Sequence, residues 1–95
     1  PLFGLVWPSA LVLAAWAEDV AVDGRRVLEV GCGLALASLV LQRRRVDVTA
    51  SDRHPLTEAF LLENLRLNAL PALGYRHGDW AGATPALGRF DLIIG

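Results

Sequence analysis

Ninety-five residues leave room for one domain at most, and a chain of this size buries only about 60–70% of the surface its unfolded form exposes. A composition 54% hydrophobic and 20% charged suits elements buried on both faces better than a half-wetted antiparallel sheet. The net charge is −1, every basic residue is arginine, and only Arg43, Arg44 and Arg45 cluster, so no basic face for nucleic acid is indicated.

The first 17 residues carry no charge, and Ala14–Ala17 (AAWA) has the look of a signal-peptidase site. No positive segment precedes it, Pro8 interrupts the run, and the stretch is short of the 18 or more residues expected of a membrane span. A buried helix explains the same residues. Pro8 and Ser9 read as its start, with proline tolerated in the first turn and serine available to cap. VDGRR then makes a turn, and Arg26–Val30 (RVLEV) a short strand that runs straight into Gly31-Cys32-Gly33.

LALASLVLQRR is apolar on all sides and ends in arginines, which predicts a helix starting near Leu34, packed on a sheet, with cations complementing its C-terminal dipole. The arginine run reads as a solvated helix end. Val46–Ser51 alternates β-branched residues as a second strand does, and DRHP is a turn. In LTEAFLLENLRLN, Leu56, Ala59, Leu62 and Leu65 are expected to share one helix face at spacing three, with Glu58 and Glu63 placed elsewhere and Asn68 in a C-terminal role. A third strand falls around Tyr75–His77 and a fourth in RFDLIIG. This alternation predicts a right-handed parallel α/β unit. The chain begins at Pro1 and stops inside an apolar strand whose Leu92, Ile93 and Ile94 want a neighbour, so residues 1–95 are expected to be part of a larger domain.

In such a sheet ligands bind beyond the carboxyl ends of the strands. Three loops meet there: Glu29–Gly33, Ser51–Arg53 and Gly78–Trp80. A phosphate-binding P-loop is absent, since no G-x-x-x-x-G-K-[ST] exists. A dinucleotide turn needs a third small residue, and that position holds Leu36, whose bulk would push the helix off the strand. The same residues fit acid-x-Gly-x-Gly-x-small: Glu29, Gly31, Gly33, Ala35. An acid ahead of the glycines suits a ligand that brings an ammonium group, as S-adenosylmethionine does, and the following helix start can offer N–H groups to its carboxylate. Taken alone, the glycines could equally make a tight turn and nothing more. Asp52 lies 21 residues past Gly31, where it can accept both hydroxyls of a ribose, although it could also cap the next helix with Pro55 in the first turn. Asp79 can accept from an adenine amino group and Trp80 can wall the ring; a turn residue and ordinary packing are the plain alternatives.

VLEVGCGLALASL, TASDRHP, FLLENLRLN and GDWAG together resemble the class I S-adenosylmethionine-dependent methyltransferases. With the leading GLVWPSALVLA they look more narrowly like the seven-stranded protein-lysine methyltransferase-like family. The resemblance implies a Rossmann-like doubly wound parallel sheet, its first four strands present and helices on both faces, and S-adenosylmethionine as cofactor. By it, Glu29, Gly31, Cys32 and Gly33 would line the methionyl part, Asp52 with Arg53 the ribose side, Asp79 and Trp80 the adenine, and Trp7 the pocket mouth. Ala35 stands where a third glycine is often found. An acidic segment usual after the fourth strand is missing, so no catalytic residue is assigned. The acceptor implied is a nitrogen, of the protein-lysine kind.

Other readings carry less. Cys32, His54, His77 and Asp79 lack paired ligand spacing for a metal. No G-x-S-x-G or placed triad supports a hydrolase. A nicotinamide-dependent oxidoreductase half-domain and a non-enzymatic methyltransferase-like fold are the alternatives. The single cysteine excludes an internal disulfide and fits a reducing, cytoplasmic setting. No membrane association is expected.

Overall fold

The computed structural model describes residues 8–78 and 89–95. In chain order the elements are α1 (Pro8–Asp19), β1 (Arg26–Glu29), α2 (Leu36–Arg43), β2 (Asp47–Asp52), α3 (Thr57–Leu67), β3 (Gly74–His77) and β4 (Leu92–Ile94). All four strands are parallel, in the order β3-β2-β1-β4. The chain therefore steps outward from β1 through β2 to β3, and β4 lies on the other flank of β1. The strand order reverses between β1 and β4, and a parallel α/β sheet opens its ligand crevice at such a switch point.

Registers decide which residues share a face. Val27 is opposite Val48, Glu29 is opposite Ala50 and Ile94, and Ala50 is opposite Tyr75. Val27, Val48 and Ile94 form one core with Ala17 of α1 and Leu41 of α2. Ala50 forms a second core with Leu61 and Leu65 of α3. The three described helices thus cover one face of the sheet. For α2 and α3 the crossovers explain it: successive crossovers of one hand, stepping in one direction along a sheet, deposit their helices on the same side, and α1 joins them by packing on α2. The doubly wound expectation has helices on both faces, and no described helix lies on the opposite one. There Ile93, level with Leu28, is 62% exposed.

Both helices that follow a strand end alike. After α2, Arg45 sits at φ 62 and donates to Gln42 O, while Val46 donates to Leu41 O. After α3, Ala69 sits at φ 53 and donates to Arg66 O, while Leu70 donates to Leu65 O. This is the Schellman closure, with an arginine and an alanine where glycine is usual. Asn68 is the C-cap of α3, as expected, and its side-chain amide donates to Asn64 O at 2.7 Å.

The arginine run is more than a solvated helix end, and that expectation is corrected here. The Arg44 guanidinium donates to Ala17 O at 2.7 Å and Val20 O at 2.8 Å, carbonyls that the end of α1 leaves without helical partners. Arg43 pairs with Glu18 of α1 at 2.9 Å, an exposed contact of small worth. A charge-assisted bond to a partly buried carbonyl contributes about 1.5–3 kcal/mol. Arg44→Ala is expected to lower unfolding stability by about 2 kcal/mol in urea titration. A loss below about 0.5 kcal/mol, the scale of an ordinary surface substitution, would contradict the docking role.

Candidate functional site

The segment joining β1 to α2 takes an uncommon path. Gly31, Gly33 and Ala35 all adopt left-handed backbone, at φ 59, 52 and 58. Such dihedrals cost a residue with a Cβ roughly 1–2 kcal/mol, which explains glycine at the first two positions. A Cβ at either glycine would meet nothing within 4 Å, so it is backbone conformation, and not crowding within the chain, that selects glycine. Ala35 bears the cost at the third position, and its methyl is buried beside Cys32, Ala50 and Leu61. That burial offsets part of the strain.

Two carboxylates hold this turn. Glu29, the last residue of β1, is 5% exposed, and its Oε1 accepts from Ser38 N–H at 3.1 Å and from Ser38 Oγ at 2.6 Å. Ala35 is the N-cap of α2 and supplies no side-chain hydrogen bond, so Glu29 caps the helix from the neighbouring strand. A carboxylate there also meets the positive end of the helix dipole. Asp52, the last residue of β2, accepts from Gly33 N–H on Oδ2 and from His54 N–H on Oδ1, each at 2.9 Å. Further bonds close the cluster: Cys32 N–H donates to Ser51 O, and Ser51 Oγ donates to Glu29 O at 2.7 Å. The Tyr75 hydroxyl donates to Asp52 O at 3.3 Å, tying β3 to the same place.

The expected site residues separate into three groups. Glu29, Gly31, Cys32, Gly33 and Asp52 come together at the carboxyl ends of β1 and β2. Arg53 is exposed in the following turn, and its side chain makes no hydrogen bond or ion pair among the described residues. Trp7, Asp79 and Trp80 lie outside the described residues. One alternative is set aside and one expectation is corrected. Asp52 does not cap α3, which starts at Thr57 behind Leu56 and has no side-chain cap; its carboxylate closes the turn from Asp52 to His54 instead. The α2 helix starts at Leu36, not near Leu34, because the left-handed Ala35 separates the turn from the first helical residue. Ser38 and Ser51 were not singled out by sequence. For Ser38 the available signal was a lone hydroxyl in the apolar run of α2; Ser51 shares its strand with buried Thr49 and had no such mark.

Electrostatics follow from this packing. Burial raises the Glu29 carboxyl above its ordinary 4.5; the Ser38 bonds oppose the rise and nearby Asp52 adds to it. Burial, then the charges of Glu29 and Asp52, push the Cys32 thiol up to about 12, so it stays protonated and is no nucleophile. A groove of about 560 Å³ is lined by Leu11, Leu34, Leu36, Phe60 and Asn64 among others; it touches the end of the glycine turn, but none of the site acids borders it. Among the described residues no group of three or more His, Cys, Asp or Glu side chains could hold a metal, and no helix is long and apolar enough to cross a membrane.

A parallel sheet opened beside β1, with an acid-capped glycine turn and a second acid on the next strand, has the Rossmann-like architecture. Comparison with known proteins narrows the class. No family model matches the chain. The protein N-lysine methyltransferase METTL21A of Danio rerio is 39% identical over 100 residues, covering 96% of this chain and 45% of that protein. The magnesium-protoporphyrin O-methyltransferase of Rhodobacter capsulatus is 33% identical, covering 90% and 36%. The histone-arginine methyltransferase METTL23 of Rattus norvegicus is 31% identical, covering 95% and 43%. Among solved structures, coclaurine N-methyltransferase bound to N-methylheliamine and SAH superimposes with TM-score 0.67 at 24% identity, over 90% of this chain and 24% of that one. A dimethyladenosine transferase from Plasmodium falciparum gives 0.67 at 20% identity, over 94% and 31%. In sequence the chain is homologous to S-adenosylmethionine-dependent methyltransferases over nearly its whole length, and it shares the fold of solved methyltransferases. It spans less than half the length of these three relatives.

The raised Glu29 carboxyl sets a pH dependence. An acid protonated more readily in the folded than in the unfolded chain lends stability at low pH, and that contribution is lost as pH rises through the raised value. Glu29→Gln keeps an acceptor for Ser38 and removes the titration. The variant is expected to gain stability relative to the native chain as pH climbs above 4.5, with the two converging below it. Chemical denaturation at several pH values checks this, and a constant difference from pH 4 to 8 would contradict it.

Proposed function

We propose that residues 1–95 are the cofactor-binding part of a larger S-adenosylmethionine-dependent methyltransferase domain that methylates nitrogen, with a protein side chain of the lysine kind as acceptor. The observation that carries the reading is the pair of carboxylates, Glu29 and Asp52, meeting at one glycine turn on the switch-point edge of a parallel sheet. Support for the acceptor class comes from METTL21A and METTL23, whose names specify protein methylation. The magnesium-protoporphyrin enzyme, an O-methyltransferase by name, shares the cofactor part and leaves the acceptor to other residues. A cytoplasmic setting accompanies the proposal, on the strength of the single unpaired cysteine.

The residues fit the ligand chemically. Space over Gly31 and Gly33 is open to a depth that a Cβ would not fill. The anion of Glu29 suits the ammonium of the methionyl tail, and the first-turn N–H groups of Leu36 and Ala37, which have no helical acceptor, suit its carboxylate. Asp52 spends one bond from each oxygen within the chain and retains lone pairs for ribose hydroxyls. Asp79 and Trp80 are proposed for the adenine, Arg53 for the ribose rim, Cys32 for the turn floor and Trp7 for the mouth. When bound, S-adenosylmethionine supplies an electrophilic methyl group. The part played by this chain is to orient the cofactor, exclude water from it and surround it with fixed dipoles.

Calorimetry of the full-length protein with S-adenosylhomocysteine tests the reading. Binding is expected, weakened by about 1–3 kcal/mol in Asp52→Ala. Absence of binding at millimolar ligand would refute the cofactor assignment, and an unchanged affinity in Asp52→Ala would refute the ribose role.

A further inference from the structure

Ser38 poses a question that the cofactor reading leaves unanswered. It is fully buried, in a helix otherwise built of Leu, Ala and Val up to Gln42. A hydroxyl in that position ordinarily bonds back to the carbonyl one turn earlier and costs the helix a little. Here it reaches across to β1 instead. Its Oγ lies 2.6 Å from Glu29 Oε1, a length typical of a charge-assisted O–H···O⁻ bond, and its N–H meets the same oxygen at 3.1 Å. Both donors converge on one carboxylate oxygen, in a place where neither residue has appreciable contact with water.

We propose that Ser38 is a positioning residue of the cofactor site: hydroxyl and amide together anchor one oxygen of Glu29 on α2, so that an ammonium group arriving at the turn meets an oriented, ionised carboxylate. The inference rests on the functional reading above. An unanchored buried acid would take up a proton, as the penalty for burying an isolated charge dictates, and a neutral carboxyl would offer the ammonium little. Among the described residues, the other titratable groups near Glu29 are Asp52 on β2, whose charge disfavours that of Glu29, and the Cys32 thiol in the turn, which stays protonated and carries none. The first turn of α2 carries no acid, and the β4 neighbour is the apolar Ile94. Ser38 therefore supplies the specific opposition to those effects. Ser51 acts on the same residue differently, since its hydroxyl donates to the Glu29 backbone carbonyl and leaves the carboxylate alone.

The test compares wild type, Ser38→Ala and Ser38→Thr in the full-length protein. Carbon-detected NMR follows the Glu29 carboxyl through a pH titration without ligand, and calorimetry follows S-adenosylhomocysteine binding from pH 5 to 9. In Ser38→Ala the Glu29 titration is expected to move to higher pH. Affinity at neutral pH should fall roughly tenfold, the scale of one lost charge-assisted bond, and recover partly as the pH is raised. Ser38→Thr, which keeps the hydroxyl, should restore both readouts. If Ser38→Ala does not fold, Ser38→Cys, with a weak donor of similar size, takes its place and is expected to move both readouts in the same direction. A variant in which Glu29 titrates as in wild type and the ligand binds equally well at every pH would overturn the proposal. If wild type binds no ligand, the cofactor reading fails and the positioning role falls with it, while a shifted Glu29 titration would still identify Ser38 as the group that sets its charge.

Discussion

The structure depends on one electrostatic constraint: a carboxylate at the end of the central strand caps the helix that follows it. Glu29 bonds to the third residue of α2 and spans the whole glycine turn in doing so. Within that span the chain passes through three left-handed residues, a path with few internal hydrogen bonds to hold it. Without an external clamp the turn would have many alternatives. Glu29 at one end and Asp52 at the Gly33 amide fix it from two strands, and the same two carboxylates are the groups proposed to face the ligand. Construction of the turn and the proposed recognition of the cofactor thus fall on the same carboxylates.

That sharing has a cost, visible in the protonation states. Two acids and a thiol crowd a buried corner, and burial pushes both the Glu29 carboxyl and the Cys32 thiol upward. A cation placed among them would relieve the crowding. Such a site favours a positively charged ligand more than a phosphate-bearing one, which agrees with the absence of a P-loop and with Leu36 at the position where a dinucleotide turn needs a small residue.

The order of elements was legible in the sequence because its periods are strong. The α3 helix was legible but its buried face was not: of Leu56, Ala59, Leu62 and Leu65 only Leu65 is buried, Leu56 and Leu62 are exposed, and Leu61 joins Leu65 in packing on β2. The glycine turn was legible because left-handed backbone leaves a compositional mark. Three further features were not. The late start of α2 depends on Ala35 adopting a dihedral that alanine rarely takes, and no local pattern announces it. The Arg44 docking depends on where α1 ends relative to α2, which is tertiary information. The commitment of Asp52 to the Gly33 and His54 amides, in place of an α3 cap, was hidden because Asp52 followed by Pro55 looks like a helix start while the helix begins further on. Ser38 was passed over for a related reason: one hydroxyl in an apolar helix has no partner until the sheet brings Glu29 beside it.

The central claim is that a single adenosyl ligand is gripped at the joined ends of β1 and β2. Amide chemical-shift mapping of the full-length protein with S-adenosylhomocysteine tests it most directly. The account predicts perturbations concentrated at residues 29–38 and 51–54. Shifts confined to the groove bordered by Leu11, Phe60 and Asn64, with the glycine turn silent, would contradict it.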